Sequence, residues 1–125
     1  MGADWEQRAA EKRKRQLALI PEDLRLDEVP QEDDRDVTQF EFSKYLSPLD
    51  IEITETPTVT GITAKLQTGQ WKAVQVVGAF LRRALIAHQL VNCLTEIFYD
   101  EALQRAEELD RIFEKQGPVG PMQLV

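Results

Sequence analysis

Few residues in this chain have side chains that could carry covalent chemistry. There are two serines, Ser43 and Ser47, one histidine, His88, and one cysteine, Cys93. A nucleophile needs a base within hydrogen-bond reach and a third group to orient that base. His88 and Cys93 straddle the expected junction of a helix and a strand, with no third group identifiable, so they read as a packed core histidine and an inert core thiol. Neither serine lies in a glycine-rich turn, and G-x-S-x-G, G-x-x-x-x-G-K-[ST], G-x-G-x-x-G, H-E-x-x-H and C-x-x-C are all missing. The acidic cluster Glu32, Asp33, Asp34, Asp36 lacks the spacing, the turn glycine and the distal glutamate of a calcium loop, and reads as a solvated loop. The run Lys12-Arg13-Lys14-Arg15 lies on an expected helix beside Glu6 and Glu11 and reads as a solvated face, not a nucleic-acid patch. Trp5 and Trp71 are isolated and fit helix-end packing better than a stacking platform. The expected site inventory is therefore no catalytic, no cofactor-binding and no metal-binding residue, and no cofactor.

Composition sets bounds on what these residues serve. The 125 residues carry 22 acidic and 15 basic side chains, a net charge of -7, and 42% are hydrophobic. One cysteine excludes an internal disulfide framework. The acidic balance argues against nonspecific nucleic-acid binding. No apolar run approaches the roughly 20 residues of a membrane span, and Met1 to Gln16 has no secretory h-region, so the expectation is a cytoplasmic protein without a membrane association.

Charge divides the chain into three zones. Residues 1–20 hold five basic and three acidic groups, 21–58 hold three and twelve, and 59–125 hold seven of each. The first zone is rich in helix formers and free of proline, which predicts an exposed N-terminal helix over residues 1–20, starting near Asp4. Residues 21–57 read as an acidic, proline-containing strap anchored by Phe40, Phe42, Tyr45 and Leu46. Within it, the alternation of Ile51 and Ile53 with polar neighbours fits a short strand over 50–56, a stretch too brief to separate from an extended arm.

The third zone, 58–125, has the clearest periodicity. Val59, Ile62 and Leu66 predict a short helix over 58–68 ending at Gly69. Val74, Val77, Leu81, Ala84, Leu85 and His88, with Val76, Phe80 and Ala87 beside them, predict a second helix from Lys72 to about Leu90. Its apolar arc is wide enough to imply burial on most sides. Cys93 to Tyr99 reads as a buried strand, and Asp100 opens a last amphipathic helix that stops at Gly117-Pro118.

With that order in place, several stretches carry a resemblance. They are S-P-L-D-I-E-I-T-E-T from Ser47, L-Q-T-G-Q-W from Leu66, A-F-L-R-R-A from Ala79, A-H-Q-L-V-N-C-L-T-E-I-F from Ala87 and E-A-L-Q-R-A-E-E-L-D from Glu101. Together they resemble the N-terminal region of the amidase signature family, most closely its fungal acetamidase-like members. The resemblance implies an α/β/α fold and hydrolysis of small carboxylic amides by a serine, a bridging serine and a lysine. A neutral lysine would relay a proton through the bridging hydroxyl, and backbone N–H groups would stabilise the oxyanion.

None of those catalytic residues transfers to a position here. The family's lysine follows a glycine-proline pair, and its serines come later in a Gly-Ser-Ser-Gly-Gly setting. This sequence reaches Gly120-Pro121, departs from the pattern at Gln123 and stops at Val125; Lys115 precedes that point and is not the catalytic lysine. The expectation is a mostly α chain with one or two short strands, the helical N-terminal part of an amidase cut before its catalytic core and inactive alone. An alternative is a helical interaction module that self-associates or docks on a full-length amidase. An enzyme in its own right would need Cys93 or Ser43 as nucleophile. The strand at 93–99 would lack sheet partners, predicting a loosely packed fragment with an exposed apolar face.

Overall fold

The computed structural model describes residues 2–29, 36–118 and 120, with side chains from Asp4 onward. Among the described residues five α-helices form: α1 (Gly2–Ala18), α2 (Pro48–Thr54), α3 (Val59–Gln67), α4 (Ala73–Val91) and α5 (Tyr99–Gln116). Three single-turn 3-10 helices, Glu22–Leu24, Val37–Gln39 and Phe42–Lys44, lie between α1 and α2. The acidic residues 32–34 of the strap and residues 121–125 lie outside the described residues.

α4 is the axle. It packs against α2 on one side and α5 on another, and it supplies side chains to three apolar clusters. Val76 and Ala79 meet Ile53 of α2, Ile62 and Leu66 of α3, and Trp71, with Leu49 alongside. Leu85 meets Ile20, Leu24 and Ile97. Ala73 meets Ala106 and Leu109 of α5. Burial on most sides is what the sequence predicted of so wide an apolar arc, and it makes α4 the element on which the others depend.

The helix boundaries have local causes. Thr58 caps α3 by accepting from the Gly61 N–H at 3.1 Å, and the chain leaves α3 through Gly69 at φ 76°, a region that favours glycine. α4 ends at Asn92, whose φ of 51° and ψ of 50° place it in the left-handed region, where its N–H closes on the His88 carbonyl at 2.7 Å. Asparagine enters that conformation more readily than any branched residue. Asn92→Val should therefore cost about 1–2 kcal/mol, while Asn92→Gly should change stability by less than about 0.5 kcal/mol. Urea unfolding of the two variants checks this, and equal losses would contradict the left-handed cap.

Both expected strands are corrected, and no strand occurs among the described residues. Residues 48–54 are helical because Ser47 and Asp50 form a capping box: the Ser47 hydroxyl accepts from the Asp50 N–H at 3.1 Å and the Asp50 carboxylate from the Ser47 N–H at 3.2 Å. Pro48 at the first helical position suits that start. The alternation of Ile51 and Ile53 was misleading. Leu49 and Ile53, four residues apart, are the pair that meets the core.

Residues 92–98 are irregular. Their backbone groups are satisfied by side chains and not by a ladder. The Leu94 N–H donates to His88 Nδ1 at 3.0 Å, and Gln16 Nε2 donates to the Thr95 carbonyl at 2.7 Å. Only Ile97 of this stretch is buried, so no continuous apolar face is presented for a strand to cover. Cys93 is exposed, not the core thiol expected from the sequence.

α1 lies largely in solvent, as its sparse apolar residues predict. It is tied down at its C-terminal end by buried Gln16 and Ile20, whereas Leu17 and Leu19 are exposed. Lys12 adds an exposed ion pair to Glu96 at 3.1 Å.

Candidate functional site

The residues singled out as chemically capable are not brought together. Ser47 is committed to the α2 cap. Ser43 donates to the Glu41 carboxylate at 3.1 Å on an exposed 3-10 turn. His88 is buried, and its Nδ1 accepts the Leu94 N–H. That bond makes His88 a bracket for the chain leaving α4. Lys115 is exposed near the C-terminal end of α5. Trp71 is buried with the Lys65 ammonium 4.1 Å above its ring, and Trp5 is exposed. Among the described residues there is no group of three or more His, Cys, Asp or Glu side chains placed to hold a metal ion. No helix of the described residues is long and apolar enough to cross a membrane.

What the arrangement builds is a set of polar clamps around α4. The strongest joins α2 to α4. The Arg82 guanidinium grips the Asp50 carboxylate twice, through Nε at 2.9 Å and through Nη2 at 2.5 Å. Burial pushes the Asp50 carboxyl up, but Arg82 and the Ser47 N–H outweigh it and hold the group below its ordinary value. The same carboxylate holds Arg82 above its ordinary value, against the opposing effect of burial. Arg83, one residue on, donates to Thr54 Oγ1 at 2.8 Å and lies 4.5 Å above the Phe42 ring.

A second clamp holds the strap. Gln89 donates to the Leu24 carbonyl at 2.8 Å and accepts from the Leu26 N–H at 2.9 Å, so one amide satisfies both edges of a loop. The aromatic anchors expected in the strap do assemble: Phe40 meets Phe42 edge-on at 5.3 Å and stacks on Tyr45 at 6.2 Å, while Leu46 is buried. A third clamp joins α5 to α4. Asp110 accepts the first two N–H groups of α4, from Ala73 at 2.6 Å and Val74 at 3.0 Å, placing a carboxylate at the positive end of that helix.

Sequence reasoning missed Arg82, Gln89 and Asp110. Only the Ser47-to-Asp50 spacing carried a readable signal; the partners 32, 65 and 37 residues apart carried none. A cavity of about 580 Å³ is lined by Asp27, Glu28, Gln39, Phe40, Glu41, Lys44 and Tyr45. Its lining holds neither histidine, serine nor cysteine.

The chain as a whole can be compared with known proteins. The chain is 44% identical to an acetamidase of Aspergillus oryzae over 121 residues, covering 96% of this chain and 22% of that protein. It is 40% identical to an acetamidase of Emericella nidulans, covering 98% of this chain and 22% of that one. Among solved structures it superposes on fatty acid amide hydrolase with a TM-score of 0.80 and 31% identity, over 95% of this chain and 22% of that one. The chain is a homologue of the amidases. It matches no family model. It spans about a fifth of the length of the relatives it matches, 22% in the Aspergillus case, which fits the helical N-terminal part of the amidase signature fold. Within that part, the capping box at Ser47 and the asparagine turn at Asn92 are the local features that give two of the resembling stretches their physical meaning.

Proposed function

We propose that these 125 residues are a helical outer segment of an amidase that hydrolyses small linear carboxylic amides to acid and ammonia or amine. In this reading the nucleophilic serine, its bridging serine and the lysine stand on polypeptide beyond Val125. The observation that carries it is near-complete coverage of this chain by acetamidase relatives of which it covers only about a fifth. The disposition of the chain's own hydroxyls and thiol agrees: Ser47 is locked in a cap, Ser43 faces a carboxylate and Cys93 is exposed. None sits beside a base with an oriented partner, so the activation that amide cleavage needs has no source among them.

The segment's role is then positional. In this reading α1 is an outer helix, the chain between α1 and α3 is a strap held by Gln89 and the Phe40 cluster, and α3 to α5 are the helical part of the amidase domain, with α4 as the axle. A segment held by buried clamps supplies a firm wall against which a catalytic sheet is placed, and placement errors of about 1 Å are enough to cost about a hundredfold in rate.

The test is ammonia release from acetamide by the purified 125-residue chain. The expected result is no turnover above buffer. Turnover that disappears in Ser43→Ala, Ser47→Ala or Cys93→Ala would overturn the reading and make this chain an enzyme by itself.

A further inference from the structure

Ala73, Val77, Phe80, Ala84, Ala87 and Val91 recur at alternating spacings of four and three, so they form one continuous stripe along α4. The first part of the stripe is covered: Ala73 is fully buried against Ala106 and Leu109 of α5, with Val77 packed beside them. The second part is not. Phe80 is 41% exposed and Val91 53% exposed, with Ala84 and Ala87 half-buried between them. Beside Ala87 and Val91 lies an open groove of about 300 Å³, walled by Val37, Phe42, Arg83 and Leu90. A helix that buries one end of a stripe and bares the other, on the element that organises the whole segment, has a surface shaped for packing.

Resting on the amidase reading above, we infer that the Phe80, Ala84, Ala87, Val91 face of α4 is the surface on which the remaining polypeptide of the amidase docks. The two alanines let a backbone approach closely, with Phe80 and Val91 as the knobs at either end. Two facts favour this occupant over a second copy. The relatives extend this segment with polypeptide more than three times its own length, of which this chain covers 22%. The bare stripe, by contrast, is a single strip from Phe80 to Val91, about 16 Å along one helix, with two exposed large side chains, Phe80 and Val91, a narrow surface beside the roughly 20 to 30 residues a side of a standard interface.

The experiment is a chimera in which this chain replaces the matching segment of the Aspergillus oryzae acetamidase, with and without Phe80→Asp plus Val91→Asp. Val59→Asp, at a position 62% exposed on α3, serves as control. The expected result is acetamide turnover by the chimera, a loss of about tenfold or more in soluble activity with the double variant because a charge is forced into an apolar contact, and no more than about a twofold change with Val59→Asp. The same double variant in the isolated chain should keep its helix content and urea midpoint, since both side chains already meet water there.

An active chimera that tolerates the double variant as well as the control overturns the docking surface while leaving the amidase reading intact. An isolated double variant that unfolds also overturns it, by making the loss one of internal stability. A stable homodimer of the isolated chain, broken by the double variant, would assign the face to a second copy instead. A chimera with no activity even unsubstituted would overturn the amidase reading itself and the docking inference with it.

Discussion

Asp50→Asn is expected to destabilise the chain by about 2–3 kcal/mol at pH 7, because it leaves the Arg82 guanidinium without its charge partner. The geometry makes this the most consequential polar contact. Asp50 is 5% exposed, takes two N–H bonds from Arg82 and one from the Ser47 backbone, and joins α2 to α4. The estimate sits below the full cost of breaking a buried pair, since the Arg82 side chain keeps 28% exposure and water recovers part of the loss. Removing both partners together, as Asp50→Asn with Arg82→Met, should recover part of the loss and give a coupling energy of about 1–2 kcal/mol.

The pH dependence has a definite sign. The folded state holds the Asp50 carboxyl below its ordinary value, so its contribution is fully present above the unfolded value of about 3.9 and is lost as pH falls through the lower folded value. The gap between wild type and Asp50→Asn should therefore be full at pH 7 and shrink as pH falls below about 4. Urea unfolding at pH 7 and in the acid range measures both effects. A variant within about 0.5 kcal/mol of wild type at pH 7 would sink this account of the clamp.

Leu85→Ala carries the other large effect, a loss of about 3 kcal/mol. Leu85 is 1% exposed and is the α4 side chain that meets Ile20, Leu24 and Ile97, so its truncation opens a void where α1, the strap and the 92–98 turn converge. The damage should be local as well as global. Trypsin cleavage after Arg25, which now holds the Ile20 carbonyl at 3.1 Å, should accelerate more than cleavage at Lys115 on α5. Uniform acceleration at both sites would mean that the strap is not held through Leu85.

The helices of the third zone were legible because periodicity, caps and stops agreed there: Val59, Ile62 and Leu66 before Gly69, the long apolar arc of α4, and the amphipathic run closed by Gly117. Residues 50–56 and 93–99 were misread for two different reasons. In the first, β-branched alternation outweighed a short capping signal, although Ser47, Pro48 and Asp50 together specify a helix start. In the second, a β-branched and aromatic run was taken for a strand, yet extended backbone can equally be satisfied by side chains, and His88 and Gln16 do that work across 6 and 79 residues of sequence.

The clamps were not readable from residue types alone. Arg82, Gln89 and Asp110 are ordinary surface residue types on amphipathic helices, and only the packing of α2, the strap and α5 around α4 turns them inward. The resemblance to amidases was carried by residues that turn out to be caps, core and clamps. That is why it could point to a family without pointing to a catalytic group.

The central claim is that these residues belong to a larger amidase polypeptide. The most direct test is the intact mass of the endogenous product, captured with an antibody against the α5 segment from Asp100 to Gln116. The account predicts a species several-fold heavier than the 14.3 kDa of this chain, active on small amides. A stable endogenous species of 14.3 kDa, with no heavier form, would contradict it.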